Sequence, residues 1–183
     1  MLCTKVSIPT IKTVYYAYAQ SQILYSIVIW GGSTHMESVF VAQKRVLRAM
    51  AGTRYWRSNR ALDSCKPLFK KYEILTVYSL YILECMKFLK KNPQHFTKQC
   101  DMPFVQLRTT RNNQTNSCCN DLFVPKCDLK MSNQNPAVMI PRIYNALPLK
   151  IKMIECDKIF IKSVKIFVTD RQFYDMHEFF SCY

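Results

Sequence analysis

The sequence predicts a mainly α-helical chain: a small helical bundle, then a polar linker, then a short helical tail. Three features of the 183 residues lead there. Apolar residues recur at helical spacing in long stretches before residue 93, each bounded by start and stop residues. The 49% hydrophobic content, with 13% aromatic residues, is that of a folded protein with a core. Residues 94–136 then turn rich in Asn, Gln, Ser and Thr, carry Pro103, Pro125 and Pro136, and lose the periodicity. The expected division is a helical domain over 1–93, a linker with little regular structure over 94–136, and a helical tail over 137–183.

Each element has its own signals. Pro9 and Thr10 mark a helix start, with Thr10 as the cap of a helix from Ile11 to about Ile29. Val14, Tyr15, Tyr18, Ile23, Tyr25 and Ile27 make that helix apolar on most sides, which predicts burial all round. Gly31-Gly32-Ser33 stops it, with Trp30 expected to bury its ring against the next helix and Gly31 to form the turn. A second helix is expected from Met36 to Met50, with Val39, Ala42, Val46, Ala49 and Met50 inward and Gly52 just past its end. Pro67 suits the first turn of a short helix ending near Tyr72. Thr76 caps a longer one over Val77 to Lys91, which Asn92-Pro93 ends and whose last-turn lysines complement the helix dipole. In the linker, only short extended pieces such as Leu122 to Val124 are expected. The tail runs from about Ile140, is interrupted at Pro148, and resumes over Lys158 to Val168 with Asp157 as its cap.

Charge is the strongest clue to function. The net charge is +14, and the first 91 residues hold 14 basic and 4 acidic groups. Between Ser38 and Leu62 there are six basic side chains, Lys44, Arg45, Arg48, Arg54, Arg57 and Arg60, and no acidic one. Tyr55 and Trp56 sit among them. One sign of charge with two large rings suits a polyanion whose bases or sugars are also touched, so RNA, DNA or an RNA–DNA hybrid is the expected partner. Lys44 and Arg48, four apart, share one helix face, with Arg45 beside them.

Other chemistries find little support. The nine cysteines include no Cys-x-x-Cys. His95 with Cys100, Cys118, Cys119 and Cys127 could be assembled into a metal site only at spacings that zinc ligands seldom use, and no metal is expected. Reduced thiols in an intracellular protein are the expectation, with nucleus and cytoplasm undivided. The apolar run Ile27 to Trp30 is too short to span a bilayer, so no membrane segment is expected. No adjacent Asp-Asp pair is present for two-metal chemistry. Glu155 with Asp157, and Asp175 with Glu178, read as capping or surface groups. No Gly-rich phosphate loop exists, and His35, His95 and His177 lie in poor contexts for a hydrolytic triad. No catalytic constellation, cofactor or small-molecule substrate is expected.

The order of motifs is more specific than any single one. Tyr15-Tyr16-Ala17, followed by the run from Ser21 to Gly31 with its Ser-Gln-Ile-Leu-Tyr and Ile-Trp-Gly strings, resembles the segment downstream of the palm in jockey-like non-LTR retrotransposon reverse transcriptases. Val39 to Arg48 is similar to that family's "LQKRAIR" helix. Asp63 to Lys70, Ile74-Leu75-Thr76 and Leu80 to Glu84 resemble its "SCRPLFKxLxILTLxxLYIxE" stretch. The likeness continues in Thr110-Arg111, Leu122 to Lys126, Ile143 to Pro148, and Phe173-Tyr174 with Glu178-Phe179. Gln22 and Ser26 depart from the family, which often has His and Gly there.

The resemblance implies a thumb-like bundle and the C-terminal extension of an RNA-directed DNA polymerase. Its implied role is to grip the template–primer duplex. The family's catalytic aspartates and the Mg²⁺ that they hold belong to the palm, in a Tyr/Phe-x-Asp-Asp hairpin that nothing here matches. The expectation is a C-terminal fragment of such an enzyme, inactive alone. A stand-alone basic nucleic-acid-binding protein derived from such an element, or a decayed element without function, is the alternative.

Overall fold

A computed structural model describes residues 7–52, 65–101, 121–126, 129 and 132–181. They are mainly helical, as the sequence predicts. Among the described residues the sole strand-like feature is an isolated antiparallel bridge between Lys98 and Leu122.

The chain opens with α1 (Ile8–Val14), capped by Ser7, whose hydroxyl accepts the Thr10 N–H. Thr10, the expected cap, therefore lies inside the first turn. A π-helical stretch, Tyr15–Gln20, leads into α2 (Ser21–Leu24). Ser26 then adopts a left-handed backbone with φ 51°, and α3 (Ile27–Trp30) follows. The expected single helix is thus broken. It is also less buried than its composition predicts: Tyr15, Ile23 and Ile27 reach the core, while Tyr18 and Tyr25 stand 74% and 78% exposed. An apolar segment is buried only where neighbours cover it, and this one meets the core along one side.

Trp30 also departs from expectation. Its ring is half-buried, and its indole N–H donates to the Tyr25 carbonyl at 2.8 Å, which ties α3 back to the break before it. Gly31 ends α3 as expected, for a steric reason: a Cβ there would collide with the Tyr81 ring and the Ile27 carbonyl.

Helix α4 (Met36–Ala51) buries Met36, Phe40, Gln43, Leu47 and Met50, so of the expected inward stripe Met50 is buried and Val39 half-buried against the core, while Ala42, Val46 and Ala49 are exposed. Both stripes have three- and four-residue spacing. The observed one puts Phe40 and Leu47 inside, where they bury far more apolar area than Ala42 and Ala49. Gly52 follows at φ 87°, a conformation that favours glycine.

Helix α5 (Lys66–Tyr72) has Pro67 in its first turn. Thr76 caps α6 (Val77–Lys91) by accepting the Ser79 N–H at 3.2 Å, and Asn92 terminates it. After the linker come α7 (Pro136–Asn145), α8 (Leu149–Lys152), α9 (Asp157–Arg171) and α10 (Met176–Phe180). Asp157 is the first helical residue of α9, not its cap: Cys156 holds the cap position, and the Asp157 carboxylate pairs with Lys90 at 3.0 Å.

Helix α6 is the axis of the fold. Helices α3, α4, α7 and α9 all pack against it, and every residue from Val77 to Leu83 is buried. The C-terminal helices therefore join the core of the first ones: Phe160, Val164 and Val168 of α9 are fully buried along α6. Polar joints lock the elements together. The Gln43 amide donates to the Tyr15 oxygen (2.8 Å) and the Leu75 carbonyl (2.9 Å) and accepts the Val77 N–H (3.0 Å). Thr76 donates to the Phe173 carbonyl at 2.6 Å. Asn145 exchanges two bonds with the Leu122 backbone, at 2.8 and 2.9 Å. Each joint satisfies backbone groups that would otherwise be buried without partners.

Candidate nucleic-acid interface

Three of the eight expected contact residues lie on α4, and the helix positions them through its buried face. With Phe40, Gln43 and Leu47 turned inward, Arg45 is exposed and Lys44 and Arg48 lie half-exposed on its flank. Phe40 is fixed by ring contacts with Phe69, Tyr78 and Tyr174 at centroid distances of 6.1, 5.3 and 4.9 Å. Lys44 in turn sits 4.5 Å over the Phe40 ring, so its ammonium is held at the helix surface by a cation–π contact. Arg54, Tyr55, Trp56, Arg57 and Arg60 lie outside the described residues.

The α4 cations stand apart from the pairing seen elsewhere. Lys12 pairs with Glu73, Lys66 with Glu178, Lys87 with Glu84, Lys90 with Asp157, and Lys152 with Asp121. The Lys12 ammonium, which donates to Glu73, holds that carboxyl below its usual range. No carboxylate among the described residues pairs with Lys44, Arg45 or Arg48. Glu37 shares their flank two helical turns toward the N-terminus.

The end of α4 meets α5. Tyr72 donates its hydroxyl to the Met50 carbonyl at 3.4 Å, and Lys71 lies 5.6 Å over the Tyr72 ring. Lys70 and Lys71 are exposed on α5. Helix α9 exposes Lys158, Lys162 and Lys165. Reasoning from sequence passed over all five. The signal was available in the i, i+4, i+7 spacing of the α9 lysines, which puts them on one face.

Among the described residues no three His, Cys, Asp or Glu side chains gather as a metal-holding group. Cys118, Cys119 and Cys127 lie outside the described residues, while His95 is exposed. His35 is exposed in the turn before α4, and His177 is exposed with its Nδ1 3.2 Å from the Ser181 hydroxyl. Glu178 accepts the Tyr174 N–H at 2.8 Å and so secures the start of α10. Burial pushes the Cys85 thiol well up, which leaves it an inert core group. No helix among the described residues is long and apolar enough to cross a membrane.

The strings that carry the family resemblance meet one another in space. Gly31 meets Tyr81, Gln43 clamps Leu75 and Val77, Thr76 holds Phe173, and Asn145 holds Leu122. Those residues do structural work. No protein-family model, curated protein or solved structure matches the chain.

Proposed function

We propose that this chain is a nucleic-acid-binding helical module, the thumb-like and downstream part of a non-LTR retrotransposon reverse transcriptase, which grips a template–primer duplex and performs no polymerisation alone. The observation that carries the binding is the α4 face: Lys44, Arg45 and Arg48 project from one helix with no carboxylate partner among the described residues, in a chain of net charge +14. The basic connector with Tyr55 and Trp56 follows directly in sequence. The origin rests on the order of the motifs in the sequence. In this reading the Mg²⁺ chemistry belongs to the absent palm, and the module works inside the cell, where Cys65 and Cys85, both buried free thiols, stay reduced.

The test is a salt titration of binding to a DNA primer–template duplex, followed by fluorescence anisotropy. If about six cations meet phosphates, log K falls with log salt at a slope of roughly −5, because each neutralised phosphate contributes about 0.9. Replacing Lys44, Arg45 and Arg48 by Ala flattens the slope by up to about three units by the same rule. Binding that ignores salt, or no binding at low salt, overturns the proposal. So does nucleotide incorporation that co-purifies with the chain in Mg²⁺ or Mn²⁺.

A further inference from the structure

With the nucleic-acid reading as its footing, we propose a second phosphate-contacting face, the lysine ladder Lys158, Lys162 and Lys165 of α9. Residues four and three apart on a helix stack along one side, each step of four advancing about 6 Å. The opposite side of α9, through Phe160, Val164 and Val168, is buried against α6, so the ladder points outward as a consequence of packing. All three lysines are exposed, and no carboxylate among the described residues pairs with them. The nearest acid in sequence, Asp157, is turned to Lys90 at 3.0 Å. Ile159 and Ile166, 55% and 53% exposed, form a parallel strip beside the ladder.

Two observations choose the occupant. The first is charge: three uncompensated cations in a row complement a row of phosphates. The second is the approach of the ladder side of α9 to Lys70 of α5. An open cleft of about 300 Å³ lies where the C-terminal end of α9 meets α5, lined by Lys70, Glu73, Thr169, Asp170 and Gln172. Thr169 stands one turn beyond Lys165 on the ladder side, and α5 leads from Lys70 to Tyr72, which touches Met50 at the end of α4. Lys70 therefore faces the cleft that the ladder side of α9 reaches, beside two carboxylates, Asp170 and Glu73, the latter engaged by Lys12 at 2.9 Å. An anionic lipid surface fits less well. A helix lying in a membrane interface offers it a broad apolar face, and the broad apolar face of α9 is spent on α6.

The full chain with Lys158, Lys162 and Lys165 changed to Ala is titrated with salt on the same DNA duplex, beside the wild type, the α4 triple-Ala variant and a version with Arg at the three α9 positions. The expected result is a slope flattened by two to three units in the α9 Ala variant and preserved in the Arg variant. A wild-type slope in the α9 Ala variant, with flattening in the α4 variant, removes α9 from the interface and leaves the binding function standing. Wild-type chain that fails to bind duplex at low salt removes both. Vesicles of phosphatidylserine and phosphatidylcholine give the last arm: binding lost in the α9 Ala variant, with the duplex slope unchanged, assigns the ladder to lipid and overturns the inference.

Discussion

Helix α6 and the segment from α1 to α3 carry the same sequence signature, apolar side chains on most sides, and meet opposite fates. From Val77 to Leu83 every α6 residue is buried. In the N-terminal segment Val14, Tyr18, Tyr25 and Ile29 are 53%, 74%, 78% and 70% exposed, while Tyr15, Ile23 and Ile27 are buried and Ile11, Ala19, Leu24, Val28 and Trp30 partly so. The difference lies in the neighbours. Helix α6 has α3, α4, α7 and α9 around it, whereas the N-terminal segment presents a single inner line to the rest. Apolar composition sets what burial is worth, and topology sets how much of it is realised.

The largest expected effect tests the crowded side of that contrast. Phe160→Ala empties a fully buried site between α9 and α6, where the ring also lies 4.7 Å beneath Lys90. A loss of about 3–5 kcal/mol is expected, read from urea unfolding, because the cavity adds to the lost transfer energy. One cooperative transition shifted to lower urea is the expected shape. A C-terminal transition that moves alone, with the rest unchanged, would break the picture of a shared core.

A middle-sized effect comes from the Tyr15 hydroxyl, which Gln43 of α4 joins to the first residue of α6. Burial raises the Tyr15 hydroxyl to about 12, with the Gln43 bond partly offsetting it. An unfolded tyrosine ionises near pH 10, so the folded state holds its proton over a range where the unfolded chain releases it. The Tyr15 contribution is therefore complete below pH 10 and lost as pH rises to 12, on the order of 2–3 kcal/mol. Urea midpoints across that range should fall more gently in Tyr15→Phe than in the wild type. Tyr78 and Tyr81, also raised by burial, retain part of the slope. Equal slopes in the two proteins would place Tyr15 in contact with solvent.

The smallest effect sharpens the exposed side. Tyr18→Ser and Tyr25→Ser, singly or together, are expected to change stability by no more than about 0.5 kcal/mol each, as at other uncovered surface positions. A loss of 2 kcal/mol or more from either, by thermal or urea unfolding, would show that the outer line is covered in solution.

Much of the helical layout was legible because its signals are local. Thr76 with Asn92-Pro93 delimits α6, Pro67 opens α5, and Gly52 closes α4, each through backbone sterics or a hydrogen bond within a few residues. The inward face of α4 was not legible. Its true line places Gln43 in the core, and a glutamine reads as surface until Tyr15, Leu75 and Val77 are seen around it. Asp157 was read as a cap because its type favours that position, but Lys90 from another helix claims its carboxylate. The same divide holds for the interface. The shared flank of Lys44, Arg45 and Arg48 follows from their spacing on one helix, but the proposed part of Lys70 and the α9 ladder rests on the packing of α5 and α9.

The sequence by itself determined where most helices begin and end and how the charge is distributed along the chain. Those properties depend on neighbours a few residues away or on composition. Only the tertiary structure decided which face of α4 is buried, that the C-terminal helices pack against α6, and which side of α9 is left exposed with its lysines. Each of these depends on contacts between residues tens of positions apart, where the burial of one side chain is settled by the shape and hydrogen-bonding groups of another.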